Sequence, residues 1–187
     1  MKTIITLLVG LLFTFSLNAK PMFQPPDDVA KKGAITYCAT IDNPPRAFAD
    51  ASGNFQGFEI DLGVEIGNRL GLEVKWEQMK FSGLIASLSG QICDAIVQEL
   101  FIKPTRVEVI DMIPFGYSAQ SIVVNASNNE SINGPADLSG LKVAVPNGTT
   151  IHNILIETNE SLSSGGKTPI DIVILEATTD SFGQLQA

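Results

Sequence analysis

The sequence predicts an α/β fold in which a mostly parallel sheet carries helices on its faces, and three observations lead there. Segments of strand character alternate with segments of helical spacing over most of the length. Glycines such as Gly71 and Gly90 fall where a helical period runs out, as helix stops do. Hydrophobic residues make up 44% and charged residues 17% of 187 positions, so the chain is ordered and long enough to bury one large core or two small ones.

The first nineteen residues, MKTIITLLVGLLFTFSLNA, stand apart. Lys2 precedes an apolar run from Ile4 to Leu17, and small or polar residues lead to Ala19. This is the form of a secretory signal cleaved after Ala19, and the run is short for a membrane span. An uncleaved N-terminal anchor is the other reading.

AITYCATI (34–41) is a first strand, and DNPPRAF is a loop after it, because two prolines cannot continue a ladder. In FEIDLGVEIGNRLG, Leu62, Gly63, Ile66, Gly67 and Leu70 share one helical face, where the two glycines let the helix lie close on the sheet. EVKWEQM is a second strand, FSGLIASLSG a short helix, and CDAIV a third strand. Pro104 suits the first turn of another short helix, where its missing N–H is not needed. DMIPFGYSAQSIVVN reads as a long strand crossing out of this unit.

After the polar stretch ASNNESINGPADLSG, the segment LKVAVPNGTTIHNILIETN repeats the order strand, glycine turn, helix. SLSSGGKTP is a flexible loop and IDIVILE another strand. TTDSFGQLQA opens a helix that Thr or Asp can cap. No Gly, Asn or basic residue closes that helix, so the C-terminus is expected to lie inside a larger protein.

Removing the leader takes away one lysine and no acid, which moves the formal charge from −8 to −9. Such a surface repels nucleic acid and is not drawn to an anionic membrane. Cys38 and Cys93 both lie in strand-like segments of a chain expected to be exported. If those strands are neighbours a disulfide can close a loop of about 55 residues, a contribution of about 4 kcal/mol in the chain-entropy treatment. Otherwise they are two buried thiols. With no CxxC and a single histidine, His152, neither a metal site nor a cofactor is expected.

FQGFEIDLGVEIGNRLG resembles the GF-D-DL helix entry of the solute-binding proteins of polar amino-acid ABC transporters, the bilobed periplasmic family 3 of bacterial extracellular solute-binding proteins. FSGLIASLSGQICDAIV resembles that family's F-GLI-AL-G--D segment, and FIKPTR stands where it has T-I-T-P-E-R. PFGYSAQSIVV is similar to its inter-lobe segment and DLSGLKVAVPNGTT to its L-G--V-V--GTT element. The resemblance covers nearly all of the chain after the leader. It implies a type II periplasmic-binding-protein fold, each lobe a mostly parallel sheet flanked by helices, with the C-terminal part of the fold missing. Lobe I would run over 20–118 and lobe II over 119–187, both incomplete. Cysteines at the positions of Cys38 and Cys93 occur together in some members, joining adjacent strands.

The resemblance also implies a site. Arg106 matches the arginine that binds the ligand α-carboxylate, a task suited to a planar guanidinium that stays charged when desolvated. A surface pair with Glu108 is the structural alternative. Gly148, Thr149 and Thr150 would hold the same carboxylate from the other lobe with helix N-terminal N–H groups, or form an ordinary helix cap. Asn147 opens an N-G-T sequon, read as accidental.

Gln98, Glu99 and Phe101 depart from the family's Ser-Gly-x-Thr, and Phe101 replaces a threonine whose hydroxyl helps bind the carboxylate. Arg46 stands where an aromatic often covers the ligand side chain. Glu99 has two open readings, a partner for a ligand ammonium or for Arg46. Phe48 is cleft wall or core, Asp42 cleft or turn cap, and Phe58 and Phe81, which could also wall the cleft, are read as core. Glu59, Asp61, Glu108 and Asp111 are expected at helix starts or in solvent.

The function implied is an exported, monomeric receptor, periplasmic or extracellular. It would bind a small amino acid or related carboxylate and present it to a membrane ABC permease. An enzyme resembling cyclohexadienyl or arogenate dehydratases, with Glu99 as general acid, is the rival from another class. A sensor module of a larger signalling or cell-wall protein is the third reading. No Ser, His and acid are placed as a triad.

Overall fold

The structure is a computed structural model that describes residues 21–128 and 131–186. The expected leader, residues 1–19, lies outside the described residues. The described chain builds two sets of cores, one from residues 29–97 and one from residues 132–172.

The first set surrounds a parallel sheet. Helix α1 (Asp27–Lys32) leads into β1 (Ala34–Ala39), which lies between β5 (Glu73–Gln78) and β6 (Ala95–Ile96). Helix α2 (Phe58–Leu70) is the crossover from β1 to β5. It ends on Gly71, whose φ of 67° is the left-handed conformation that a helix C-cap uses. Gly63 and Gly67 have the expected role. A Cβ on Gly63 would stand 2.6 Å from the Trp76 ring, and one on Gly67 would collide with the Val74 side chain. The buried face is rotated from the expected one, however: Glu59, Ile60, Gly63 and Gly67 point inward, and Ile66 is 37% exposed.

Cys38 in β1 and Cys93, just before β6, form a disulfide with Cα atoms 5.6 Å apart, and Leu84 packs beside it. The strand adjacency that the pairing requires is therefore present.

Only two residues of CDAIV pair as strand, because side chains take over the ladder at both ends. The Thr36 N–H donates to Asp94 Oδ2 at 3.0 Å, and the Thr40 N–H to Gln98 Oε1 at 2.9 Å.

The proline loop after β1 holds a small antiparallel sheet instead of irregular chain. Its strands are β2 (Asp42–Asn43), β3 (Ala47–Ala49) and β4 (Phe55–Gln56), and Pro44 and Pro45 occupy the connection between the first two. The prolines thus turn the chain without having to donate to a ladder. A short 3-10 turn over Phe81–Gly83 then precedes α3 (Leu84–Ser89), and Pro104 opens α4 (Pro104–Val107).

The expected crossing strand over 111–125 is irregular chain, with no strand partner among the described residues. It exposes Ile113, Tyr117, Ile122, Val123 and Val124. A strand is defined by its ladder, and side-chain propensity alone does not supply one.

The second core sits on β7 (Lys142–Pro146), parallel to β8 (Asp171–Leu175), with α5 (Thr150–Ser164) crossing between them. Leu138, Val145, Leu155, Leu162 and Ile170 fill it. Asn159 fixes the return loop through two bonds with the Ile170 backbone. Helix α6 (Thr178–Gln186) follows β8.

Candidate functional site

The carboxyl ends of β1 and β6 meet the N-terminus of α5 around a cavity of about 660 Å³, whose walls include Thr40, Phe81, Glu99, Phe101, Thr149 and Thr150. A cleft at the carboxyl ends of parallel strands is where α/β sheets place ligands.

Helix α4 turns Arg106 inward while Thr105 and Val107 beside it stay exposed. The side chain is 8% exposed as a residue. Nη1 donates to the Phe101 carbonyl at 2.8 Å, Nη2 to the Gly148 carbonyl at 3.4 Å, and the guanidinium lies 5.6 Å from the Phe81 ring centroid. Glu108 is exposed and makes no pair with it, and among the described residues no carboxylate does. Burial draws the Arg106 pKa down from its ordinary value.

Across the cavity, Thr149 is the N-cap of α5. Its Oγ1 accepts from the His152 N–H at 3.2 Å and donates to the Pro146 carbonyl at 2.9 Å. Gly148, at a φ of 71°, donates its N–H to His152 Nδ1 at 3.4 Å and turns its carbonyl toward Arg106. The expected N–H donor therefore serves here as an acceptor. Thr150 Oγ1 is buried without a partner, at the first turn of a 15-residue helix whose leading N–H groups carry partial positive charge.

The loop after β6 contributes three expected residues, each placed differently. Gln98 is buried, and its Oε1 accepts from both the N–H and the hydroxyl of Thr40. Phe101 lines the cavity and gives Arg106 its carbonyl. Glu99 lines the cavity too and pairs through Oε2 with Arg46 Nε at 2.8 Å.

Arg46 is shared. Its Nη1 donates to Glu59 Oε1 at 3.2 Å, and the Glu59 side chain is fully buried, with Oε2 unpartnered. Burial raises the Glu59 pKa from 4.5 to about 7, and Arg46 opposes the rise. Glu59 therefore stands in the first turn of α2, as expected of a helix-start acid, but its side chain is buried against Arg46 instead of solvated. The signal for it was present: Glu59, Gly63 and Gly67 repeat every four residues on the face that the glycines mark as close-packed.

Two expected residues stand away from the cavity. Phe48, in β3, is half-buried opposite Gln56 and is not among the lining residues. Asp42 accepts the Thr178 N–H at the start of α6 at 2.8 Å, and a Lys80–Glu176 pair at 3.3 Å reinforces the same contact between the two halves of the described chain. Phe81, read from the sequence as core, is a cavity wall and the aromatic face for Arg106.

The sequence profile of the bacterial extracellular solute-binding proteins, family 3, matches residues 35–178. An L-cystine-binding protein of Escherichia coli (strain K12) is 30% identical over 122 residues, 65% of this chain and 46% of that one. The chain spans about half the length of the curated relatives it matches. Among solved structures, a P235GK mutant of ArgBP from T. maritima superposes with a TM-score of 0.76 at 33% identity, covering 86% of this chain and 66% of that one. The ancestral amino acid-binding protein AncCDT-1, a precursor of cyclohexadienyl dehydratase, superposes with a TM-score of 0.77 at 26% identity, covering 86% and 68% respectively. The fold is the α/β fold of periplasmic binding proteins, with parallel sheets flanked by helices.

Proposed function

This chain belongs to the bacterial extracellular solute-binding proteins of family 3, and from that premise we propose that it is the front part of a receptor that captures a small amino acid or related carboxylate between two lobes. Lobe I runs to residue 118 and lobe II begins at 119. The leader exports the chain, which acts as a monomer outside the cytoplasm and delivers its ligand to a membrane ABC permease.

One observation carries the reading. Arg106 is a buried guanidinium with two carbonyls, an aromatic face and no carboxylate among the described residues. A buried charge without a counter-charge is costly, and a ligand carboxylate removes that cost by two parallel N–H···O bonds. The partner-free Thr150 hydroxyl and the α5 N-terminus supply donors from the opposite side. Gln98, bonded to Thr40, and Phe101, standing where the family has a hydroxyl, both line the cavity.

The test is a thermal-shift panel of acidic, basic and neutral amino acids with simple dicarboxylates, run on the purified protein and on Arg106→Met. A ligand at a hundred times its dissociation constant stabilises the folded state by about 2.7 kcal/mol. A rise in Tm with one amino-acid class, absent in Arg106→Met, is the expected result. No rise with any amino acid or carboxylate sinks the reading.

The likeness to the precursor of a dehydratase favours a second reading, in which Glu99 on the cavity wall is a general acid. Product formed from prephenate or arogenate would select it, whereas binding without turnover selects the receptor.

A further inference from the structure

We propose that Asp42 is a latch between the two lobes: its carboxylate takes the first N–H of α6 from across the cleft, holds the lobes together without ligand, and so sets affinity without touching the ligand. The proposal rests on the two-lobe reading above and adds what governs closure.

Asp42 belongs to β2 of the first half, and Thr178 opens α6 of the second, 136 residues later. Their 2.8 Å bond joins a carboxylate to a helix N–H that has no acceptor within its own helix. The positive end of α6 favours that charge. The other carboxylate oxygen, Oδ1, is buried and has no partner among the described residues. No core cluster among the described residues spans the two halves, since each draws its side chains from one of them. Thr40, Asn43 and Thr178 line the main cavity, while Asp42, Met79, Lys80 and Ala177 line a second cavity of about 340 Å³. The bond therefore stands between two hollows, where polar contacts rather than a shared core hold the lobes.

Three such contacts cross between the halves, and a ligand would affect them differently. The Arg106 bond to the Gly148 carbonyl is long, at 3.4 Å, and an arriving carboxylate competes for the same guanidinium. The Lys80–Glu176 pair is exposed on both sides and contributes little. Asp42 is not among the residues lining the main cavity, so its bond persists whether that cavity is empty or filled. Closure is thereby biased before a ligand arrives. Water takes up both groups when the lobes part, which keeps the bias small enough for opening.

The test reads the separation of the lobes directly. Spin labels on Lys75→Cys and Glu160→Cys, exposed positions of the two lobes, report it by pulsed electron spin resonance, and the two native cysteines are already joined to each other. Asp42→Ala removes the acceptor. Thr178→Pro removes the donor, at a first helical position where proline is accepted. Losing a hydrogen bond to a charged group shifts an equilibrium by about tenfold. Without ligand, each variant should raise the ratio of open to closed lobes by about that factor, and the double variant should rise no further, because both changes remove one bond. Unchanged distances in the variants, or additive opening in the double variant, overturns the latch. Calorimetry with L-arginine and L-glutamine on the same proteins reads the consequence: whichever binds the wild type should bind both variants more weakly, as less of the protein is already closed. An affinity that stays fixed while the lobes open overturns the link to binding. A wild type that binds neither counts against the receptor reading, and the distances still decide the latch.

Discussion

Arg46 and Arg106 both hold the loop after β6, and the structure treats them in opposite ways. Arg46 stands between two acids, one of them fully buried. Arg106 is the more deeply buried of the two as a residue and meets only carbonyls and a phenyl ring. A cation whose counter-charges come from its own chain is a strut, whereas one left short of a counter-charge is poised for something from outside. The physical cost of each tells them apart more clearly than their positions do.

The widest separation between the two should come from removing Arg46. Arg46→Met strips the buried Glu59 carboxyl of its cation, so that at pH 8 it must stay charged in the core or take up a proton, and the expected loss is about 4 kcal/mol in urea unfolding. A stability loss no greater than that of Arg106→Met would erase the distinction between strut and poised cation.

A pH series sharpens the same point. Glu59 has a folded pKa of about 7 against 4.5 ordinarily, so between those values the folded state holds a proton that the unfolded chain has released. Stability from this group is therefore complete below about pH 4.5 and is lost as pH rises toward 7, by up to about 3 kcal/mol. In Glu59→Gln that fall should flatten in a plot of unfolding free energy against pH. The deficit of Arg46→Met should shrink toward acid, because protonated Glu59 no longer needs a cation.

The smallest effect concerns the helix end facing Arg106. Thr149→Ala removes the N-cap of α5 and should lower stability by about 1 kcal/mol, read as a shift in the denaturant midpoint. If it also abolishes ligand binding, the Thr149 hydroxyl is a ligand contact as well as a cap.

Features decided within a few residues were legible in the sequence. Gly71 as a helix stop, Pro104 as a helix start and the close approach at Gly63 and Gly67 depend on local backbone or on a missing Cβ. Arg106 and the threonines of α5 could be singled out because their motif keeps a fixed spacing. Features that depend on distant partners were not legible. The inward face of Glu59 is marked by Gly63 and Gly67, but its pairing with Arg46, thirteen residues earlier, is announced by no spacing. The turning of the Gly148 carbonyl toward Arg106 is set by His152 and by the packing of Gly148 on Ser82, and no residue type announces it. Asp94 and Gln98 shorten β6 by replacing its backbone acceptors with side-chain oxygens, which a strand propensity cannot register.

The stretch over 111–125, without a strand partner among the described residues, bears on handling the protein. Its Ile113, Tyr117, Ile122, Val123 and Val124 side chains are exposed, and an exposed apolar segment of this composition is a template for intermolecular β-pairing. Self-association through it would grow with concentration and compete with ligand binding, because residues 118–125 also line the cavity. Light scattering across a dilution series therefore belongs beside every calorimetric titration of this chain.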